Sequence, residues 1–598
     1  MNISGWSCSK KNIYPGKQEG KRLPLVCNLR NGVMQVIRRH AGNTPDCWFE
    51  VCPGISIFDI AMKTRASYDF RISGGRAADC IEKSLDKAEH WFAVSLAGAS
   101  FPFIRPAVLG WIILMSLSVV QLRSQEMVSA SDTLASEAAR LLSEYIQVSS
   151  VTGTEREAGE YISDKCREKG LHVEIFTDSI DCYNFAASLY PLELQKPNAV
   201  FLSHIDVVSG GTDSLWTYPP FSGAVVSDTV WGRGTIDMKG AAIMYLMATS
   251  SFVGRASMED LPFNVTLLFV SGEETYGERG AEIICDYFMP SLNAVVMLGE
   301  GGIGTAELLS DEPDKPVFFI SLSEKRALWL ELEVNYQASG HGAVPPSDYA
   351  TRMMIHGLYD LTRREPEITF NNDNKGMLRA YGELEKGLKG FILRHPVFFR
   401  PLVASGLRKN PLMASAFTNT STLTHLASEE TAINQIPHRV KACLDCRLLP
   451  ETETGRFLDN LAATLGHDEV SVRIVSETRN APPTVPDHFY DIFTESLEEV
   501  YPGCGIVPFL FPATTDNNYF RNQGVPVYGI IPAVLDQRLM ETIHTHNERL
   551  PVEALLKGTE VYRGFIDRLF MKSPEEEPLP ETEAGDAPID VSELQDIP

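Results

Sequence analysis

The feature that most constrains this chain is a set of short apolar runs, each of which delivers an imidazole or a carboxylate to its end. NAVFLS (198–203) runs into His204 and Asp206, NVTLLFVSG (264–272) into Glu273 and Glu274, and NAVVMLG (293–299) into Glu300. Apolar runs of this length bounded by turn residues read as strands. Helical spacing appears between them. Over 131–147, Leu134, Ala138, Leu141, Leu142 and Tyr145 share one face, and a second helix is expected at 155–169. With HVEIF (172–176) as a further strand, the alternation predicts an α/β layered domain around a largely parallel sheet. Sites in such sheets form at the carboxyl ends of strands, which is where the three clusters fall.

Two more elements carry ligand-type side chains. WGRGTIDMKG (231–240) places Asp237 in a Gly-rich turn just before an apolar helix, and IHTHNERL (543–550) offers His544 in a loop before the helix 552–566. Two imidazoles and three carboxylates, one of them shared, can build a two-metal site with nitrogen and oxygen ligands. That set suits zinc, with manganese or cobalt as alternatives. In such a site the metals lie ~3.5–4 Å apart, acidify a water and polarise a carbonyl. One further carboxylate, not a ligand, must carry the water's proton to the leaving group. Glu273 and Glu274 can divide these tasks, because on an extended loop adjacent side chains diverge. Asp206, two residues after His204, can take the other ring N–H and fix the tautomer.

At 598 residues the chain exceeds one ordinary domain, so two or three folded units plus tails are expected. The formal net charge of −25 argues against a nucleic-acid partner. That charge is uneven. Residues 1–105 carry a net +6, and 573–598 hold nine acids and no base, which marks the latter as a disordered acidic tail. Residues 1–105 show no sustained periodicity although they hold five of the eleven cysteines. They read as a disordered extension or a segment absent from the mature protein, with a small cysteine-stabilised module as the alternative. Residues 106–122 are uncharged between Arg105 and Arg123. They fit a membrane anchor or a signal peptide, and a buried core helix is the third reading. The first two place the body in the secretory pathway, either secreted or anchored with the body extracellular or lumenal. Cys443 and Cys446 form a C-x-x-C in a strand-like run, where an offset of three points them to opposite faces, so they read as structural.

Taken in order, HIDVV, GRGTIDMKG, SGEETYGERGA, EGG and IHTHNE resemble the dinuclear zinc exopeptidase family of aminoacylase, bacterial glutamate carboxypeptidase and carnosinase-type dipeptidases. The resemblance spans about residues 130–570. Within the family it is nearest the branch of Gly-X carboxypeptidases and N-fatty-acyl-amino-acid synthases/hydrolases, which carry a W-x-x-P-P-F after the His motif, here WTYPPF (216–221). It implies a catalytic domain with a mixed sheet between helices, over 127–326 and 451–572, interrupted by an inserted α+β lid or dimerisation domain at 327–450. It implies two zinc ions: one held by His204, Asp237 and Glu300, the other by Asp237 as the bridge, Glu274 and His544. The family's H-x-x-N-E pattern selects His544 over His546. Asp206 is then the group that orients His204, and Glu273 the general acid/base. In the lid, His341 matches an oxyanion-stabilising histidine, Asn434 lies in the N-x-I-P motif, and Arg447 is a third candidate substrate contact.

The implied substrate is a small peptide or an N-acyl amino acid cleaved next to a free carboxylate, and a homodimer through the lid is expected. The alternative is a peptidase-fold binding protein or receptor ectodomain that has lost catalysis, against which the full set of ligand types argues. Two departures stand out. Gly299 replaces the Asp expected before the zinc-binding Glu, and Asn518 replaces an Arg expected to bind the substrate carboxylate, with Arg521 at the wrong offset to substitute. An apolar insertion at 390–403 reads either as a wall for an acyl chain or as lid core or dimer contact.

Overall fold

The computed structural model describes residues 133–571, apart from 256–260, 276, 338–339 and 430–431, together with two short strands near the N-terminus. The chain divides into two compact units, Met1–Arg123 and Ser124–Pro598. In the first, Val26–Arg30 pairs antiparallel with Val33–Ile37. The expectations for the rest of 1–105, for the 106–122 segment and for the tail 573–598 fall outside the described residues. Among the described residues no helix is long and apolar enough to cross a membrane.

The second unit contains twelve principal strands: β1 (His172–Ser179), β2 (Cys182–Ser188), β3 (Asn198–His204), β4 (Asn264–Val270), β5 (Ala294–Thr305), β6 (Val317–Glu324), β7 (Arg326–Asn335), β8 (Thr420–Ser428), β9 (Arg439–Leu448), β10 (Val470–Glu477), β11 (Gly505–Phe511) and β12 (Val527–Val534). Eight form one sheet in the order β11-β6-β12-β5-β3-β4-β2-β1. The central four, β12-β5-β3-β4, are parallel, whereas β2 and β1 on one side and β6 on the other pair antiparallel to their inner neighbours. The sheet is therefore mixed with a parallel core, as expected.

Strand alternation explains the layers. In β3, Phe201 points into one core with Phe269, Tyr245, Tyr562 and Phe565. Its neighbours Val200 and Leu202 point to the other face, with Leu268, Ile284 and Phe520. Every residue of β3 and β4 is buried, because helices cover both faces. Helix Lys239–Ser250 is buried almost all round, which its apolar sequence permits. Each fully buried ring of this kind contributes on the order of 1.5–3 kcal/mol.

A second, four-stranded antiparallel sheet runs β8-β9-β7-β10. Its inward residues, among them Leu330, Leu332, Leu444 and Cys446, pack under helices Ala350–Thr362 and Thr454–Leu465. The opposite face is ionic: Glu331 meets Arg473 at 2.9 Å and Lys441 at 3.2 Å, and Glu333 meets Arg439 at 2.7 Å. Cys446 faces the core while Cys443 pairs across from Glu331, as the offset of three required. Both β10 and the helix 454–465 belong to this layer, so it extends past residue 450.

Three helices, Asn372–Leu384, Gly387–Arg394 and Arg400–Leu407, close the β11 edge of the large sheet. Part of the apolar insertion packs here, through Ile392, Leu393, Phe399 and Val403, beside Val317 and Val507. Leu388, Val397, Phe398 and Leu402 stay exposed.

Candidate active site

The parallel core delivers its functional groups to one end of the sheet. His204 is the last residue of β3 and is buried. Glu273 and Glu274 begin a 3₁₀ turn just after β4, not the extended loop anticipated. Glu300 lies inside β5, which runs on to Thr305; the pairing of β5 with β3 ends at Leu298, opposite Phe201, so Glu300 sits just past the paired stretch, near the end of β3 that carries His204.

The ring of His204 is fixed from behind. Its Nδ1 donates to the main-chain oxygen of Asp206 at 2.8 Å, which leaves Nε2 facing the site. The Asp206 carboxylate stays 3.7 Å from Nδ1 and does a different job from the one expected. Its two oxygens accept from the backbone N–H groups of Glu273 (3.1 Å) and Glu274 (3.2 Å) and from Thr152 Oγ1 (2.9 Å). Asp206 thus holds the Glu273–Glu274 turn against β3, and the ring is oriented by its main chain.

Asp237 stands between the two imidazoles. Oδ1 is 3.0 Å from His204 Nε2 and Oδ2 is 3.0 Å from His544 Nε2. Each carboxylate oxygen serves one ring, the arrangement a bridging ligand requires. Glu274 Oε1 approaches His544 Nε2 to 3.2 Å, and Glu300 Oε1 lies 3.9 Å from His204 Nε2. His204, Glu273 and Glu300 offer ligand atoms within 4.8 Å of one another, and so do His204, Asp237 and Glu274. His546 meets Trp216 edge-on instead.

The electrostatics show a cluster short of positive charge. Burial works against the imidazolium of His204, but the hydrogen bond to Asp237 and the charge of Glu300 hold its pKa well above the ordinary value. Hydrogen bonds to Asp237 and Glu274 raise His544 to about 10. Burial opposes ionisation of Asp237, yet its two imidazole partners hold its carboxyl well below the usual range. Burial, then the charge of Glu300, pushes Glu273 well above its ordinary value; burial, then Asp237, does the same to Glu300. Glu274 Oε1 is buried and lies against His544 Nε2. Crowded carboxylates around two inward-facing imidazoles fit a cation centre with nitrogen and oxygen ligands.

A residue whose role the sequence did not reveal locks this geometry. Glu548 is fully buried. Its Oε2 accepts from Arg233 Nη1 at 2.6 Å and Gly234 N at 3.0 Å, and its Oε1 from Ile236 N at 2.8 Å and Asp237 N at 3.2 Å. Arg233 in turn donates to Thr545 O at 2.9 Å. The Asp237 loop and the His544 loop are thereby tied to each other.

The departures resolve in the loop Thr514–Asn518. A Cβ on Gly299 would lie 2.0 Å from Asn517 Oδ1, and Asn517 Nδ2 donates to Glu300 O at 2.7 Å. The space left by Gly299 is thus filled by an amide that braces the Glu300 main chain. Arg521 does not face a ligand: its guanidinium is buried against Glu324 Oε1 at 2.6 Å and donates to Ser321 O and Val527 O. Asn518 Nδ2 donates to Arg479 O at 2.8 Å.

The three lid residues behave differently from the cluster. His341 and Asn434 come together at 3.3 Å on a two-residue ladder. Arg447 is held bidentately by Asp445, at 2.8 and 3.1 Å. None of the three lines the cleft beside Glu273.

Comparison with known proteins identifies the family and the fold. Residues 200–568, more than half of the chain, match the model of peptidase family M20/M25/M40. The chain is 26% identical over 368 residues to the N-fatty-acyl-amino acid synthase/hydrolase PM20D1 of Mus musculus, covering 59% of this chain and 70% of that protein. It is 24% identical over 395 residues to the probable carboxypeptidase S-like 2 of Dictyostelium discoideum, covering 62% and 73%. The fold is similar to that of human carnosine dipeptidase 1, with a TM-score of 0.55 and 16% identity over 75% of this chain and 99% of that one. From its mixed sheet to the acids and imidazoles at the strand ends, the chain belongs to peptidase family M20/M25/M40 and is a hydrolase of the metallopeptidase kind.

Proposed function

We propose that the chain is a two-zinc amidohydrolase that cleaves the amide bond next to a free carboxylate, acting on small peptides as a carboxypeptidase or on N-acyl amino acids as a hydrolase and, in reverse, a synthase. The observation that carries this reading is Asp237, whose two oxygens each face a different imidazole at 3.0 Å. One zinc would be held by His204, Asp237 and Glu300, the other by Asp237, Glu274 and His544. When bound, the pair supplies Lewis-acid polarisation of the scissile carbonyl and acidifies the attacking water.

The chain's own residues do the rest. Glu273 is half-buried beside His204 and Glu300, and Asp206 fixes its backbone, so its carboxylate can take the water's proton and pass it to the leaving nitrogen. The Arg233–Glu548 clamp keeps Asp237 and His544 at a fixed spacing without itself touching substrate. The layer built on β7–β10 would be the inserted lid through which two copies pair, with His341 and Asn434 presented at its edge. The names of the relatives, a fatty-acyl-amino-acid hydrolase and a carboxypeptidase, support the substrate class. We place the body in the secretory pathway on the strength of the 106–122 segment.

The test is elemental analysis of the purified protein followed by assay of N-oleoyl amino acids against blocked dipeptides, with Glu273→Gln as control. Two zinc ions per chain and a carboxylate-dependent amidase that Glu273→Gln abolishes are expected. Less than one zinc per chain, or full activity in Glu273→Gln, would overturn the mechanism.

A further inference from the structure

The cleft beside Glu273 contains an unanswered charge problem. Its wall includes Glu273 and Asp516, both acidic, with Arg479, Thr515, Asn518 and Tyr519. Asp516 is 4% exposed, and its Oδ2 is buried with no hydrogen-bond partner. A substrate that brings its own carboxylate into this cleft needs a cation to meet it.

The three arginines that could serve are not equivalent. Position 518, where relatives' pattern puts an arginine, is an asparagine whose amide is spent on a main-chain oxygen. Arg521 is sealed inside the fold against Glu324, and Arg447 is held by Asp445. Arg479 follows β10 by two residues, is solvent-exposed, and enters no ion pair among the described residues. Among the described residues it is the one cation lining the cleft. The oxygen that Asn518 grips is Arg479's own carbonyl, at 2.8 Å, so the substitution at 518 fixes the backbone that carries the guanidinium.

We propose that Arg479 is the substrate-carboxylate receptor of this enzyme, taking over from the arginine absent at position 518. The guanidinium would meet the carboxylate at the wall of the cleft, opposite no competing cation among the described residues. A substrate that ends in a free amino-acid carboxylate offers the group that Arg479 would read. The inference rests on the proposed amide hydrolysis next to a free carboxylate.

The experiment compares kcat/KM for one N-acyl amino acid and for its C-terminal carboxamide, in wild type and in Arg479→Gln, with zinc content and Tm measured in parallel. Wild type should prefer the free acid. In Arg479→Gln that acid-to-carboxamide ratio should fall about 10- to 100-fold, the loss lying in KM for the acid, because one charge-assisted pair is removed. An unchanged ratio with active wild type would overturn the assignment of Arg479 and leave the hydrolase reading intact. Wild type with bound zinc that cleaves neither compound nor any blocked dipeptide would overturn both. Isothermal titration with the free amino-acid product provides a readout independent of turnover: its Kd should rise by the same factor in Arg479→Gln, and an equal Kd would count against the receptor.

Discussion

Glu548→Gln should damage both the fold and the metal centre. The substitution keeps the side chain's shape but converts one of its two oxygens to an NH₂. Whichever way the amide turns, that NH₂ faces two N–H donors: Ile236 and Asp237 on one side, Arg233 and Gly234 on the other. Two buried donors then lose their acceptor, at about 1–3 kcal/mol each. Arg233, whose side chain is 3% exposed, also loses its counter-charge, and breaking one partner of a buried pair typically costs about 3–5 kcal/mol. These terms overlap, so the expected loss in unfolding free energy of the metal-free protein is about 3–5 kcal/mol. Because the clamp sets the backbone of Asp237, zinc affinity should also fall, by about 10- to 100-fold. Chemical denaturation in chelator and competitive zinc titration measure the two effects. The matched control is Glu553→Gln, an exposed partner of Lys557, which should change stability by less than about 1 kcal/mol. If Glu548→Gln stays within about 1 kcal/mol of wild type and binds zinc equally well, the clamp is not what positions Asp237.

Three further outcomes are expected. Glu273→Gln should lower kcat by about 10²–10⁴ while elemental analysis still finds the wild-type zinc content, since the residue moves a proton and does not hold metal. Gly299→Ala should cost about 1–3 kcal/mol in thermal or chemical denaturation, because its Cβ would meet Asn517 Oδ1 at 2.0 Å, and Asn517→Ala in the same chain should recover part of that loss in a double-mutant cycle. Lys325 is buried, and burial, followed by the charge of Arg447, lowers its pKa from 10.5 to about 7. Below pH 7 the lysine is charged in both folded and unfolded states, so its burial penalty is fully present; as pH rises toward 10.5 the folded state sheds the proton first and the penalty is relieved. Tm of wild type relative to Lys325→Met should therefore rise between pH 7 and pH 10, and a constant difference across that window would refute the buried, depressed lysine.

What the sequence made legible was local. His204, Glu273, Glu274 and Glu300 were readable because each sits within a few residues of an apolar run whose period identifies it as a strand, and parallel strands leave their ends on one side. Features that depend on distant partners were not legible. Glu548 sits in a recognisable motif, but its four donors lie at 233–237, more than 300 residues earlier, and nothing in the local pattern points to them. Asp206 misled for the opposite reason. The His-x-Asp spacing favours a carboxylate on the ring, yet the turn after β4 brings two unsatisfied N–H groups to that carboxylate, and the ring takes the main-chain oxygen instead. The strand at 470–477 had a readable alternation, VSVRIVSE, that a boundary set at 450 excluded.

The two departures from the family pattern make the same point about contacts as units of reading. Taken singly, Gly299 is a lost brace behind Glu300 and Asn518 a lost cation. In the fold both belong to the loop Thr514–Asn518. Asn517 needs the room that only a glycine at 299 leaves, and uses it to hold the Glu300 carbonyl. Asn518 turns its amide onto the Arg479 carbonyl, which a longer, charged side chain could not do without displacing that segment from the cleft. Asn517 braces the Glu300 strand where residue 299 has no side chain to do so, and on our proposal Arg479 supplies the cation that residue 518 does not. In each case the physical requirement, a fixed metal-binding strand or a neutralised carboxylate, is met by a partner on the facing element.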